Sequence, residues 1–321
     1  MEPIGVRTKL GISSCLLGEE VRFDGGHKHN AYVTRTLARH FDFIPFCPEK
    51  AIGLPTPRTP IRLVAEPGSS LIRAVESLDQ SKGRTEKLIR YGQKISTRIE
   101  DVSGYIVKKD STSCGMERVK IYEREAAPAE KRGTRLYTAQ LKKELPELPI
   151  EEEGLLMEPG LQENFITRVF TMCRWRQLLA TGLTRQSFVE FHARHKFLIL
   201  AHHEVTYREL GRHIADLGSL DLESKADAYL KLLMKGLRHM TTPGKHANVL
   251  MHIMGYVKDR MSADEKVELL DLIEAHHTEL IPVIVPITLI NHFLRRYPHE
   301  YVAQQYYLSP HPLELMLRNS I

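Results

Sequence analysis

Several things are scarce in this 321-residue chain, and each scarcity closes a class of explanation. There are four cysteines, Cys15, Cys47, Cys114 and Cys173, too few and too scattered for a disulfide-stapled scaffold. No C-x-x-C pair or nearby Cys/His set occurs, so the usual zinc-module pattern is missing. The C-x-x-x-C-x-x-C spacing of radical chemistry is missing too, as is a Gly-rich phosphate loop. No run approaches the roughly 18 apolar residues of a membrane span. The longest, LIPVIVPITLI at 280–290, is interrupted by two prolines. The first residues lack the basic start, apolar stretch and cleavage site of a secretory leader, so the chain reads as cytoplasmic and not membrane-bound. Tryptophan occurs once, and no basic platform interleaved with aromatics is visible. The formal charge of +5 is compatible with an anionic ligand but too small to argue for one.

What is present is ordinary globular composition, 42% hydrophobic and 26% charged, at a length that suggests two domains. The first half alternates strand-like and helix-like segments. TKLGISSC (8–15), FDFIPF (41–46), PIRLVA (60–65) and GYIVKK (104–109) read as strands. HNAYVTRTLARHF (29–41), SKGRTEKLIRYGQKISTRIED (81–101) and TRLYTAQLKKELP (134–146) read as helices; in the first, Tyr32, Val33, Leu37 and Phe41 recur at helical spacing. This alternation predicts an α/β domain over 1–150, Rossmann-like with a mostly parallel sheet. A proline- and acid-rich stretch, PELPIEEEGLLMEPG, suggests a linker at 151–162, and 163–321 reads as an all-α helical domain. Within it, SADE (262–265) is a capping-box start.

Three of the cysteines follow strand-like runs: Cys15 after KLGIS, Cys47 after FIPF and Cys114 after YIVKK. Ligands of open α/β sheets bind outside the carboxyl ends of the strands, so these loops could bring three distant thiols together. Their surroundings are unusual. Gly25 and Gly26 permit a tight turn after the first, three prolines stiffen the second, and Ser111, Thr112 and Ser113 offer hydroxyls beside the third. Three readings stand: buried structural thiols, a zinc site, or an iron–sulfur cluster on three thiolates with one iron left open.

The combination SSCLLGEEVRFDGGHK, CPEKAIGLPTPRTPIRL and KKDSTSCG resembles the thiouracil desulfidase family across roughly residues 8–150. The resemblance implies a compact α/β fold, a 4Fe-4S cluster on Cys15, Cys47 and Cys114, and removal of sulfur from a thiolated uracil without net redox change. It also implies that Glu49 and Ser111 lie at the substrate. Glu49 is then the candidate acid/base, and Ser111 or Ser113 orients substrate or relays a proton. Asp24 and Arg58 are candidate substrate contacts, although Asp24 also suits a turn before Gly25-Gly26 and Arg58 a salt bridge to Glu49. One departure is visible: Ala51-Ile52-Gly53 stands where the family often has a Gly-Gly turn.

The stretches SFVEFHARHKFLILAHHEVTYRELGRHIA, PGKHANVLMHIMGYVK and IPVIVPITLINHFLRRYP resemble the YbgA-like domain, over about 163–321. That resemblance implies a fold more than a function. His192, His195 and His202 share one helix face, where a metal is the less favoured reading. Lys196, Arg208 and Lys245, with Arg212 and His246, are candidates for gripping a phosphate. The expected partner is a small thiolated nucleobase or nucleotide, with nucleic acid ranked second. The competing functions are a nucleic-acid-binding module with a sensing cluster and a sulfur-inserting thiolation enzyme.

Overall fold

The computed structural model describes residues 7–65, 72–116, 120–122, 130–131, 136–218 and 221–321. The chain divides into two compact units, Met1–Met157 and Glu158–Ile321.

In the first unit, β1 (Thr8–Ser13), β2 (Phe41–Phe46), β5 (Val102–Val107) and β8 (Ile150–Glu152) form one sheet in the order β2-β1-β5-β8. All three pairings are parallel. Every residue of β5 is buried, as befits a central parallel strand covered on both faces. Gly11 of β1 faces Tyr105 of β5, and a Cβ there would lie 2.4 Å from the tyrosine ring, so only glycine admits this packing. Tyr105 also stacks on Phe46, with ring centroids 5.4 Å apart, which ties the last residue of β2 into the core.

Two local outcomes differ from the sequence expectations. The segment expected to be a regular helix at 29–41 is a π-helical turn at Tyr32–Thr36 followed by a 3₁₀ turn at Leu37–Arg39. Of the four apolar residues expected on its inward face, Val33, Leu37 and Phe41 are buried and Tyr32 is half-buried. The strand β3 (Ile61–Ala65) does not join the parallel sheet. It pairs antiparallel with β4 (Ile72–Glu76) and parallel with β6 (Lys120–Tyr122), which pairs with β7 (Glu130–Lys131), giving a second, mixed sheet. The remaining helices of this unit are α1 (Pro48–Ala51), α2 (Thr85–Ser96) and α3 (Leu136–Glu144).

The second unit is helical, as expected: α4 (Pro159–Ala180), α5 (Arg185–His202), α6 (Glu204–Ala215), α7 (Leu222–Leu237), α8 (Pro243–Gly255), α9 (Ala263–His277), α10 (Ile284–Arg296) and α11 (Glu300–Ala303). Trp175 stacks on Tyr229 at 5.6 Å and meets Phe188 and Phe191 edge-on, forming the aromatic centre of its core. Ser262 and Glu265 form the expected reciprocal capping box at the start of α9. No helix among the described residues is long and apolar enough to cross a membrane.

Candidate active site

The strand order β2-β1-β5 explains how the three thiols meet. Cys15 follows the end of β1 in a 3₁₀ turn (Ser14–Leu17), Cys47 immediately follows β2 as the residue capping α1, and Cys114 lies in the loop after β5. Three adjacent parallel strands therefore deliver three cysteines to the same edge. All three line one cavity of about 120 Å³, together with Arg22, Phe46, Glu49, Arg58, Lys108 and Ser111.

The loops are held by their own hydrogen bonds. The Cys15 carbonyl accepts from Lys28 N at 2.9 Å, which folds the Gly25-Gly26 segment back. Helix α1 is closed by Gly53, two residues past its end, whose φ of +88° is left-handed. Gly53 N and Leu54 N donate to the carbonyls of Lys50 and Glu49 at 3.0 and 3.1 Å, a Schellman closure that only glycine enters without strain. The bulkier Ala51 and Ile52 precede that position, so the turn glycine itself is retained.

Arg58 is the knot of the site. Its side chain is 4% exposed, and its Nε and Nη2 grip Glu49 Oε2 at 2.8 and 2.7 Å. Its remaining N–H groups donate to the carbonyls of Val21 (2.8 Å) and Pro55 (3.0 Å) and to Thr56 Oγ1 (3.2 Å). One guanidinium thus joins the loop after Cys15 to the loop after Cys47. The fully buried Ser113 donates from Oγ to Glu49 Oε1 at 2.8 Å. Both oxygens of Glu49 are therefore oriented, one by Arg58 of its own loop and one by Ser113 of the loop after β5.

The sulfurs have donors as well. Ser111 and Ser13 hydroxyls hydrogen-bond to Cys114, and the backbone N–H groups of Glu49 and Lys50 do so to Cys47; each favours the thiolate. Burial is the larger effect and opposes them. It pushes the Cys15 thiol up to about 11, and the Cys47 and Cys114 thiols above their usual range. The charge of Cys47 adds to the rise at both other cysteines, while Arg22 and Lys108 counteract it at Cys15. Three thiols this desolvated and mutually repulsive stay protonated near neutrality unless a cationic group replaces their protons. Among the described residues, no group of three or more His, Cys, Asp or Glu side chains is placed to hold a single metal ion. The chemistry of the donor set, three thiols lining one cavity with N–H and O–H donors at Cys47 and Cys114, suits a thiolate-bound inorganic group.

The other sequence candidates fall elsewhere. Asp24 is exposed and is not among the cavity-lining residues; its Oδ1 accepts from Gly26 N at 3.1 Å, which makes the turn. Lys196, Arg208 and Lys245 belong to the helical unit. The Lys196 ammonium lies over the Tyr207 ring, Arg208 pairs with Glu204 on an exposed helix face, and Lys245 donates to the carbonyls of His202 (2.8 Å) and Met240 (2.7 Å). His192, His195 and His202 each direct Nδ1 to a separate partner, the Tyr229 hydroxyl, the Phe191 carbonyl and the His239 carbonyl. Cys173 lies in α4 and accepts from Gln177.

Sequence reasoning missed Ser13, Arg22, Lys108 and Glu153. Ser13 Oγ accepts from Lys108 N at 3.0 Å, clamping the end of β1 to the end of β5. Glu153, just past β8, holds the Lys108 ammonium and the Lys109 N–H. A hydroxyl residue two positions before Cys15, as Ser111 is three before Cys114, was the available signal for Ser13.

A sequence model of the 2-thiouracil desulfurase family matches residues 10–153, and one described as a protein of unknown function, DUF1722, matches residues 196–312. The uncharacterised protein YbgA of Escherichia coli strain K12 is 30% identical over 159 residues, 49% of this chain and 94% of YbgA. The uncharacterised protein YbbK of Bacillus subtilis strain 168 is 29% identical over 108 residues, 32% of this chain and 71% of YbbK. Among solved structures, the 4Fe-4S-dependent thiouracil desulfidase TudS is 27% identical, with a TM-score of 0.38, covering 47% of this chain and 95% of its own. The chain thus matches the 2-thiouracil desulfurase family through residues 10–153, and through its C-terminal half it belongs to the family of YbgA.

Proposed function

We propose that this protein hydrolytically removes sulfur from a thiolated pyrimidine (thiouracil, thiouridine or its monophosphate), using a 4Fe-4S cluster held by Cys15, Cys47 and Cys114. The observation that carries the reading is the convergence of those three thiols on one cavity that also contains Glu49 and Ser111. When bound, the cluster supplies a Lewis-acidic iron with affinity for a thiocarbonyl sulfur.

The chain's own residues do the rest. The reaction adds water at the ring carbon and breaks the C–S bond; carbon is left as a carbonyl and sulfur departs as hydrosulfide, with no net electron transfer. Glu49, held by Arg58 and Ser113, takes one proton from the attacking water and returns it to the departing sulfur, and the water's second proton leaves to solvent as the carbonyl forms. Arg58 does not touch substrate in this account: all its donors are engaged, and it fixes the carboxylate. Ser113 holds Glu49 Oε1, and Ser111 supports Cys114. Phe46 and Pro48 supply an apolar wall for a flat ring.

The test is Glu49→Gln, purified anaerobically at matched iron content. We expect kcat for hydrosulfide release to fall by about 10²–10⁴-fold, the usual scale for a general acid/base. Unchanged turnover would remove Glu49 from the chemistry.

A further inference from the structure

Among the described residues, five charged side chains line the cysteine cavity: Arg22, Glu49, Arg58, Lys108 and Asp110. Three are committed within the chain. Arg58 and Glu49 hold each other, and the Lys108 ammonium is held by Glu153 and the Lys109 carbonyl. Arg22 and Asp110 are not committed in this way. The Arg22 side chain is 22% exposed, and its terminal Nη groups make no hydrogen bond among the described residues. Its Nε stands 3.5 Å from Asp24 Oδ1, an exposed oxygen that already accepts from Gly26 N, so this pair is a weak tether. Asp110 is exposed at the cavity rim, and its carboxylate has neither a hydrogen bond nor an ion pair among the described residues.

The backbone of both residues is nonetheless held. Arg58 pins the chain on either side of Arg22: its Nη2 donates to the Val21 carbonyl and its backbone N–H to the Phe23 carbonyl, each at 2.8 Å. The Arg22 N–H donates to the Gly26 carbonyl at 3.2 Å, and the guanidinium lies over the Phe23 ring, 5.3 Å from its centroid. Asp110 adopts a left-handed φ of +56°, uncommon for a residue with a side chain, in the loop that carries Ser111 and Cys114. A cation and an anion that line one cavity without pairing to each other suit a ligand that offers an acceptor to one and a donor to the other.

A uracil-type thiopyrimidine has such an edge. In both the 2-thio and the 4-thio ring, the carbonyl that sulfur has not replaced stands beside the N3–H. A guanidinium only donates and a carboxylate only accepts, so the pair fits that edge in one sense alone. A thiocytosine ring turns an amino donor and a bare ring nitrogen to the same place, reversing both. We propose that Arg22 donates to the remaining carbonyl of the substrate ring and Asp110 accepts from its N3–H, so that the site selects uracil-type over cytosine-type thiopyrimidines. The proposal rests on the desulfuration reading and adds to it the two residues that choose the base.

Anaerobic steady-state kinetics on 2-thiouracil and 2-thiocytosine at matched iron content test it, together with isothermal titration of the full chain with the sulfur-free rings uracil and cytosine. We expect kcat/KM for 2-thiouracil to exceed that for 2-thiocytosine by ~100-fold or more, because the second ring leaves both charged groups unpaired. Arg22→Gln and Asp110→Asn should each lower that ratio by ~10-fold or more, mainly by raising KM for 2-thiouracil, with iron content unchanged. Asparagine tolerates a left-handed backbone, so Asp110→Asn tests the carboxylate and not the turn. Uracil should bind at least ~10-fold more tightly than cytosine to the wild-type chain, and either variant should lose most of that preference. A kinetic ratio that both substitutions leave untouched, an effect confined to kcat, loss of iron from Arg22→Gln, or uracil bound no more tightly than cytosine would overturn the proposal. Hydrosulfide release from neither ring at full iron content would instead contradict the desulfuration reading, and the titration alone would then decide base selection.

Discussion

Replacing Arg58 with methionine perturbs the site where its two loops are joined. The substitution keeps most of the aliphatic volume but deletes every donor. Glu49 is then left 15% exposed with one oxygen unpaired, and the Val21 and Pro55 carbonyls lose a partner. Breaking a buried pair by removing one member costs about 3–5 kcal/mol, because the surviving charge stays desolvated. For a unit of this size each kcal/mol moves the midpoint by about 2–4 °C, so the first unit's transition should fall by ~6–20 °C. Calorimetry at matched iron content measures this. Arg58→Lys should recover part of the loss, since an ammonium keeps the charge but cannot serve Glu49, Val21 and Pro55 from one rigid fork. The double variant Arg58→Met/Glu49→Gln should be less destabilised than the sum of the singles, because the unpaired charge is gone. A loss below about 1 kcal/mol for Arg58→Met would refute the view that this guanidinium organises the site.

Other consequences follow from the same geometry. Serine in place of Cys15, Cys47 or Cys114 should abolish iron retention and hydrosulfide release, whereas Cys173→Ser should leave both intact; absorbance and iron assays separate the two outcomes. Gly53→Ala should cost about 1–2 kcal/mol, because its left-handed backbone closes α1, as seen in urea unfolding of the first unit. Ser262→Ala should cost about 1 kcal/mol in the helical unit through loss of the α9 cap, with hydrosulfide release unchanged.

Much of the site was legible from spacing because strand topology is a strong constraint. Cysteines just beyond three strand-like runs must lie at one sheet edge if the strands are parallel, and β2-β1-β5 are neighbours. The capping box at Ser262 was legible because it is local. What required the three-dimensional structure was tertiary. Arg58 reads in sequence as a substrate contact or a salt bridge to Glu49; the bridge forms, and its remaining donors are consumed by groups as distant as Val21. Lys245 reads as a phosphate contact, yet its ammonium lies on two carbonyls. The π-helical turn at Tyr32–Thr36 keeps the apolar face of a helix while changing its winding, a distinction that periodicity over so short a run does not carry. His246 and His276 come from different helices, and their rings, with centroids 5.7 Å apart, meet only after packing.

The central claim is that Cys15, Cys47 and Cys114 together hold one iron–sulfur centre that desulfuration requires. Anaerobic isolation with iron and acid-labile sulfide quantified per chain, followed by a hydrosulfide assay on 2-thiouracil with and without that centre, tests it most directly. The account predicts about four of each per chain and turnover that rises and falls with them. A chain that takes up no iron anaerobically, or one that releases hydrosulfide equally well without it, would contradict it.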